Sequence, residues 1–154
     1  FVADSPGEFS IQGGTIEGIS SFHDNKEGLD RGRNTIFVFE TEDLRVCHLG
    51  DLGHELTEDQ IDAIGDVDIL MIPIGGTYTL DAKGAKKVVG QIEPKIIIPM
   101  HYKIDGLTIE LDDETEFCNE LGTTIKDKLS RISLKKKDLE DVENKVMLMN
   151  VFNL

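Results

Sequence analysis

Alternating apolar and polar residues fill the first third of the chain, and this pattern predicts β-strands. Glu8 to Ile11 alternates and meets the Gly13-Gly14 pair, a turn signal, after which the alternation resumes at Thr15. The segment from His23 to Asn34 is polar, charged and rich in glycine, so it is predicted to be a loop. The strands predicted in this part of the chain are 8–11, 15–22, 35–39 and 44–49.

Strands and helices are predicted to alternate in the middle of the chain. Thr57 is followed three residues later by Gln60, a capping-box sequence, and begins a predicted helix that ends near residue 65. Asp81 caps a second predicted helix, which ends near residue 91. The apolar runs 67–74 and 95–100 are typical of strands buried on both faces. This βαβαβ order implies parallel strands joined by right-handed crossovers.

The last third of the chain has a weaker pattern. Asp112 can cap a helix that ends at Gly122, and residues 131–134 and 145–149 are predicted strands. The charged stretch 135–143 is consistent with a helix or with a loop, and its charges are expected to lie on solvated surface.

Polar or small residues directly follow four of the predicted strands. These residues are His23-Asp24, Asp51, Gly75-Gly76 and His101. Because ligands of parallel α/β sheets bind beyond the carboxyl ends of the strands, we expect the side chains to share one crevice. Histidine nitrogen and carboxylate oxygen are ligands of zinc, manganese and iron, and the two oxygens of Asp51 can bridge two ions. The pattern alone leaves two interpretations open, a metal site or structural histidines at strand ends.

Composition and charge narrow the range of partners. The net charge is −14, from 30 acidic and 16 basic residues, and such a surface repels phosphate backbones, so general nucleic-acid binding is not expected. No apolar run approaches the roughly 20 residues of a membrane span, so no membrane association is expected. Cys47 and Cys118 give no disulfide framework and are expected to be small buried side chains in a cytoplasmic protein.

Five short segments agree, in order and in spacing, with a known family. They are Ser21-Phe22-His23-Asp24, Arg31-Gly32-Arg33-Asn34-Thr35-Ile36, Leu49-Gly50-Asp51, Ile72-Pro73-Ile74-Gly75-Gly76 and Ile98-Pro99-Met100-His101-Tyr102. Together they resemble a branch of the metallo-β-lactamase superfamily that contains metal-dependent hydrolases and is related to ascorbate-phosphate lactonases. The resemblance implies an α/β fold, the αββα sandwich with two halves. Residues 1–154 would form the C-terminal half, a mixed sheet with helices on one face.

The resemblance also implies a site for two divalent metal ions, expected to be zinc, with manganese or iron as alternatives. His23 would serve the first ion, His101 the second, and Asp51 both. Members of this family use a metal-bound hydroxide, which here would attack a lactone, an ester or a phosphoester of a small-molecule substrate. Asp51 and His23 would take part in catalysis.

The chain departs from the family pattern in one respect. The family supplies its first ligands from a His-x-His-x-Asp-His segment in the N-terminal half, and no such segment occurs among these residues. Each ion would then have only one or two protein ligands, where roughly four-coordinate binding needs three or more. We therefore expect a fragment of a longer protein, produced by cloning, proteolysis or a split gene, that is inactive alone. The alternative is a non-catalytic binding or scaffold module that retains the fold.

Several other residues are candidates for substrate binding or for support of the site, each with a structural alternative. The candidates for substrate binding are His54, Arg33, Asn34, Gly76 and Tyr102, with Arg31, Gly75 and Tyr78 beside them. His48 can orient a ligand or serve as a hydrogen-bonded core histidine. Asp24 can polarise His23 or a metal-bound water, or it can form a turn.

Assembly is the last expectation. Half of a two-sheet sandwich would expose the apolar face that normally packs on the other half, and a patch of that size is rare on monomers. We therefore expect the chain to form a homo-oligomer or to associate with the missing N-terminal half.

Overall fold

The computed structural model describes residues 2–11, 13–41, 43–125 and 127–151. Within these residues the centre of the fold is one mixed sheet of seven strands, whose spatial order is the order along the chain. The strands are β1 (Gly7–Ile11), β2 (Gly14–Phe22), β3 (Arg33–Thr41), β4 (Leu44–His48), β5 (Ile69–Pro73), β6 (Ile96–Met100) and β7 (Lys145–Val146). The helices are α1 (Glu58–Ile64), α2 (Ala82–Ile92), α3 (Glu114–Glu120) and a 3₁₀ helix (Lys136–Leu139).

The sheet changes direction at β4. Strands β1 to β4 pair antiparallel, and β4 to β7 pair parallel. The parallel part follows the βαβαβ pattern expected from the sequence, because α1 and α2 connect neighbouring strands. Both helices begin where predicted: Thr57 and Gln60 form the capping box of α1, and Asp81 caps α2 by accepting from the Gly84 backbone N–H.

The core lies between the helices and one face of the sheet. A row of directly paired residues crosses the sheet on this face, from Val38 through Cys47 and Leu70 to Ile97, and all four are buried. Apolar residues of α1, α2 and α3 belong to the same core cluster. Cys47 and Cys118 are both buried free thiols, as expected, and burial raises the pKa of Cys47 to about 12. The mixed sheet with helices on one face is thereby confirmed.

The opposite face of the sheet is also apolar but lies outside this core. Ile16, Phe39, Val46 and Ile69 are paired in one row across β2 to β5, and each is half-buried. None of the four belongs to the buried core cluster. We call this surface the open face. None of the helices in the described part of the chain has the length and apolar character that a membrane span requires.

Four predictions about secondary structure are wrong. The cap of α3 is Asp113 rather than Asp112. Arg33 and Asn34 belong to β3 rather than to the loop, because they pair with Phe22 and Ser21 of β2. Residues 131–134 form no strand in the described structure, and the tail instead makes a single parallel bridge between Leu129 and Met149. The predicted strand 145–149 is therefore reduced to the two residues of β7.

The charged side chains of the stretch 135–143 are exposed, as predicted, and one of them also pairs with a buried carboxylate. The Lys136 Nζ donates to both carboxylate oxygens of Asp68, at 2.9 and 2.8 Å, and Asp68 is buried. The lysine is held there because a buried carboxylate needs a charged partner. Leu139, at the end of the 3₁₀ helix, is fully buried.

Candidate metal centre

Three strands deliver the candidate ligands to one edge of the sheet. His23 follows the end of β2, Asp51 lies three residues after the end of β4, and His101 follows the end of β6. Strands β2 and β4 are both antiparallel to β3, and β4 to β6 are parallel, so all three strands run in the same direction. Their carboxyl ends therefore meet at a single edge, as the strand-end pattern in the sequence predicted.

The carboxylate of Asp51 lies between the two imidazoles. Its Oδ2 is 3.3 Å from His23 Nε2, and its Oδ1 is 3.8 Å from His101 Nε2. Asp51 is half exposed, whereas the two histidine side chains are 21% and 31% exposed. The structure thus brings the three predicted ligands together, with a different oxygen of Asp51 facing each histidine.

This spacing fits shared ligation of two ions. Two ligands of one tetrahedral zinc ion, with bonds of about 2.1 Å, lie about 3.4 Å apart, which matches the His23–Asp51 pair. The His101–Asp51 separation of 3.8 Å requires a wider angle at the ion. Within the described part of the chain, no group of three or more His, Cys, Asp or Glu side chains is arranged to hold a single ion. The three side chains thus amount to two donors for each of two possible metal positions, which is less than a full coordination shell.

The other ring nitrogens of the two histidines, the Nδ1 atoms, also suggest that the site is incomplete. The Nδ1 atoms of His23 and His101 are buried and have no hydrogen-bond partner among the described residues. Buried polar groups are nearly always paired in folded proteins. A metal-ligating histidine usually donates its other ring N–H to a carboxylate or carbonyl oxygen. The acceptors that these two imidazoles need are thus absent from the part of the chain that the structure describes.

The turn that carries Asp51 is held by two side chains. Asn34 Oδ1 accepts from the Asp51 backbone N–H at 3.0 Å, and His48 Nδ1 accepts from the Gly50 N–H at 3.0 Å. Burial lowers the pKa of His48, against an opposing effect of the Asp51 charge, so the neutral ring with a free Nδ1 lone pair is favoured. His48 thus supports the turn that presents Asp51 and is hydrogen-bonded within the fold.

Asp24 organises the loop that follows His23. Its two carboxylate oxygens accept from four backbone N–H groups, those of Lys26, Gly28, Asp30 and Arg31. Burial of the side chain acts to raise the pKa of Asp24, but the four hydrogen bonds outweigh it, and the pKa lies below its usual value. Both carboxylate oxygens are used in hydrogen bonds within this loop, so the turn-forming role is favoured over polarisation of His23.

His54 contacts the backbone immediately before His23. Its Nε2 accepts from the Phe22 N–H at 3.2 Å, and its Nδ1 lies 2.7 Å from the Glu55 carbonyl oxygen. Accepting at Nε2 places the ring proton on Nδ1, which then donates to Glu55. His54 also lines a cavity of about 430 Å³ together with Gly53, Gly76 and Thr77. Two of the predicted substrate-binding residues, His54 and Gly76, therefore share one cavity wall.

Close backbone packing sets the position of His101. A Cβ placed on Gly75, two residues after the end of β5, would lie 2.2 Å from the carbonyl oxygen of His101, so this position favours glycine. Tyr102, the next residue, is buried, and Lys128 Nζ lies 5.3 Å from its ring centroid. Burial raises the pKa of Tyr102, and the ring is enclosed in the fold beside the predicted site.

The arginines take two different positions. Arg31 donates to the Thr77 carbonyl oxygen at 2.7 Å and lies over the Tyr78 ring, with 5.4 Å to its centroid. This contact joins the Asp24 loop to the turn after β5. Arg33 is exposed at the start of β3, paired with Phe22.

Ser21 is a supporting residue that the sequence pattern does not single out. It is fully buried, and its Oγ accepts from Asn34 Nδ2 at 2.8 Å. The register of β2 against β3 creates this contact, since Ser21 and Asn34 are direct cross-strand partners. The loop between β2 and β3 is ten residues long, from 23 to 32, so no short turn in the sequence fixes this register.

Comparison with known proteins identifies the family. A model of the β-lactamase superfamily domain matches residues 1–101. The chain belongs to the metallo-β-lactamase superfamily. It is 35% identical over 102 residues to a metal-dependent hydrolase from Alkaliphilus metalliredigens, a match that covers 62% of this chain and 45% of that relative. A second metal-dependent hydrolase, from Staphylothermus marinus, is 42% identical over 73 residues, which cover 47% of this chain and 32% of the relative. The chain therefore spans less than half the length of these relatives.

Two solved structures share the fold. A candidate Zn-dependent hydrolase of the metallo-β-lactamase superfamily from Thermotoga maritima is 38% identical and has a TM-score of 0.76. The alignment covers 97% of this chain and 71% of that chain. A metallo hydrolase from Ignicoccus hospitalis has a TM-score of 0.64 at 22% identity, which shows the fold alone, and covers 97% of this chain and 57% of its own. Nearly the whole chain thus adopts a superfamily arrangement that continues further in both proteins.

Proposed function

We propose that this chain is part of a metal-dependent hydrolase and contributes His23, Asp51 and His101 to a centre for two divalent ions. The carrying observation is the Asp51 carboxylate, which directs one oxygen toward each histidine Nε2, at 3.3 and 3.8 Å. Nitrogen and oxygen donors of this kind suit zinc, the metal named for the Thermotoga maritima protein. The relatives named as metal-dependent hydrolases support the same reaction class.

The residues of this chain would divide the work as follows. Bound divalent ions would acidify a water molecule and polarise the scissile bond. Asp51 would supply the negative charge that holds the ions, and His23 and His101 would each provide an Nε2 donor beside it. The cavity of about 430 Å³ at His54 and Gly76 is not lined by the three candidate ligands, and it would accept a part of a small-molecule lactone, ester or phosphoester that extends away from the ions.

The rest of the coordination shell would come from outside the chain. Two donors per ion fall short of the three protein ligands that catalytic zinc sites use. The unpartnered Nδ1 atoms of His23 and His101 also need acceptors that the described residues do not supply. We propose that the N-terminal half of the parent protein provides both, and that this cytoplasmic chain alone is inactive.

The open face is the proposed contact surface for that half. A second row of side chains on it, Phe37, His48, Met71 and Ile98, pairs across β3 to β6, and all four are half-buried. The Thermotoga maritima structure extends beyond the part that matches this chain, and an additional sheet there would cover an apolar face of this kind. When the N-terminal half is absent, a second copy of the chain can cover the same face.

Metal content of the full-length parent tests the proposed centre. We expect about two zinc ions per chain in the parent and the loss of both ions in Asp51→Ala. Elemental mass spectrometry measures this metal content. Asp66→Ala, which removes an exposed carboxylate near the opposite end of the sheet, is the matched control and should retain the metal. A parent that binds no more metal than Asp51→Ala would refute the proposal.

Light scattering tests the proposed assembly. The chain alone should form a dimer or larger species, or bind a dye that recognises exposed apolar surface. Addition of the N-terminal half should produce a one-to-one complex that no longer binds the dye. A monomeric chain that binds no dye would contradict the role of the open face.

A non-catalytic scaffold module is the second candidate. The lack of any three-donor group among the described residues favours it, because a module that had lost catalysis would keep the fold and only part of the site. The reading frame upstream of this chain separates the two. A His-x-His-x-Asp-His segment there would support the hydrolase, and its absence would support the scaffold.

A further inference from the structure

Asn34 connects two of the strands that carry the candidate ligands. Its Nδ2 donates to Ser21 Oγ on β2 at 2.8 Å and to the Leu49 carbonyl oxygen, just after β4, at 2.9 Å. Its Oδ1 accepts from the Asp51 N–H at 3.0 Å. The carboxamide therefore uses both of its ends within the protein, which leaves little capacity for a substrate.

The contacts of Asn34 are specific for an amide. One end must donate, because the Leu49 carbonyl oxygen can only accept, and the other must accept, because the Asp51 backbone N–H can only donate. An aspartate would place a carboxylate oxygen 2.9 Å from the Leu49 carbonyl and add a negative charge beside Asp51. The neutral amide therefore fixes the turn without competing with Asp51 for a cation.

The turn itself leaves no space for another arrangement. Gly50 has a φ of +61°, and a Cβ at this position would lie 2.4 Å from Asn34 Oδ1. Asn34 is thus packed directly against the backbone that aims Asp51, and a shift of its side chain would move the carboxylate.

We propose that Asn34 is a positioning residue that holds Asp51 between His23 and His101. This inference rests on the proposed metal centre and adds to it the group that sets the direction of the bridging carboxylate. Asn34 acts through the Asp51 backbone and through the Ser21 contact, and it does not touch the metal or the substrate. The substrate-binding role suggested by the sequence thus gives way to support of a ligand.

Cobalt titration of the full-length parent, in which the coordination shell is complete, tests this role when it is followed by visible absorption. Four forms of the parent are compared: the unaltered protein, Asn34→Asp, Asp51→Ala and Gln91→Glu. Gln91 is a matched control because its amide also uses both ends, accepting from the Leu56 N–H and donating to the Leu56 carbonyl, and it is half-buried like Asn34. Substitutions of groups that orient metal ligands typically weaken metal affinity by 10–100-fold, so Asn34→Asp should weaken Co²⁺ binding by about 10-fold or more.

The outcomes separate the two claims. Gln91→Glu should bind Co²⁺ like the unaltered parent, and Asp51→Ala should bind it least. Unchanged affinity in Asn34→Asp, with reduced affinity in Asp51→Ala, would overturn the role of Asn34 alone. Unchanged affinity in Asp51→Ala would instead overturn the metal centre.

Hydrogen exchange of the unaltered chain provides a measurement that does not depend on the folding of a variant. The Asp51 amide should exchange slowly because Asn34 Oδ1 accepts from it. If this amide exchanged as fast as a solvent-exposed one, the positioning role would be refuted.

Discussion

Charged groups at the two ends of the parallel strands differ in their exposure and in the partners that the chain gives them. At the amino end, buried Asp68 accepts from the Arg45 N–H and from Lys136, and the Arg45 guanidinium contacts Glu40 and the Ile64 carbonyl. At the carboxyl end, the Asp51 carboxylate is half exposed between two imidazoles. Charges at the amino end find partners within the chain, whereas the site end keeps two buried imidazole Nδ1 atoms unpaired among the described residues.

This difference separates stability from function. A buried carboxylate with complete partners stabilises the fold, because removal of any member leaves a polar group without a partner. A half-exposed carboxylate beside histidines whose Nδ1 atoms lack a hydrogen-bond partner among the described residues contributes little to folding and is available to bind a ligand. Substitutions at the amino end should therefore change the free energy of unfolding, and substitutions at the carboxyl end should change metal binding.

The largest effect on stability is expected for Asp68→Ala. The variant removes the acceptor of Lys136 and of the partly buried Arg45 N–H, at a cost of about 2 kcal/mol in the free energy of unfolding. Urea unfolding measures the loss, with the exposed neighbour Asp66→Ala as the control. Co²⁺ affinity should be unchanged, and an Asp68→Ala protein as stable as the control would remove the distinction between the two ends.

Gly75→Ala is expected to affect both properties. Its methyl group would lie 2.2 Å from the His101 carbonyl oxygen, so the backbone must move, at a cost of about 2 kcal/mol, and His101 must move with it. Gly90→Ala is the opposite control. A Cβ at that position in α2 would meet no other part of the described chain within 4 Å, so alanine should stabilise the helix by up to about 1 kcal/mol. Normal Co²⁺ affinity in Gly75→Ala would show that this packing does not determine the position of His101.

Asp113 gives a smaller, pH-dependent effect. It caps α3, and its hydrogen bonds to Thr115 lower the pKa of its carboxyl below 3.8. A lowered folded-state pKa means that the contribution is fully present above the unfolded pKa and is lost as the pH falls through the folded value. Asp113→Ala should cost about 1 kcal/mol at pH 7, and the difference should shrink below about pH 4.

Asp113→Asn provides the control for this pH dependence. Asparagine caps helices about as well as aspartate and does not titrate, so the variant should stay close to the unaltered chain at pH 7. A difference between Asp113→Ala and the unaltered chain that stays constant from pH 7 to pH 3 would contradict the assignment.

The smallest effect is expected for the surface pair between α2 and α3. Lys86 Nζ lies 3.2 Å from Glu120, and the lysine is half exposed. Exposed pairs of this kind contribute little, so Lys86→Ala should change the free energy of unfolding by less than about 0.5 kcal/mol. If Lys86→Ala changed the free energy of unfolding as much as Asp68→Ala does, exposed ion pairs and pairs with a buried carboxylate would not differ in their contribution to stability.

Local signals predicted much of the fold. Caps at Thr57 and Asp81 and the apolar runs between them located α1, α2 and the parallel strands, and the strand ends then located His23, Asp51 and His101. These features depend on neighbours in sequence, so they can be recognised without the tertiary structure. The assignment of the three residues as ligands remains a prediction, although the structure brings them together.

Long-range contacts explain what the sequence did not predict. The place of Asn34 in β3 depends on its pairing with Ser21, and its amide role depends on the approach of the turn after β4. Lys136 and Asp68 are 68 residues apart, so no local pattern could pair them. His54 likewise accepts from the Phe22 N–H, 32 residues away, only because two loops meet at the edge of the sheet.

Nitrogen NMR of the histidine side chains during a Zn²⁺ titration tests the shared role of Asp51 most directly. The Nε2 resonances of His23 and His101 should both shift as Zn²⁺ is added to the metal-free full-length parent, and both responses should disappear in Asp51→Ala. If either imidazole responded equally well without Asp51, or if neither responded in the unaltered parent, the proposal that one carboxylate joins two metal positions would be contradicted.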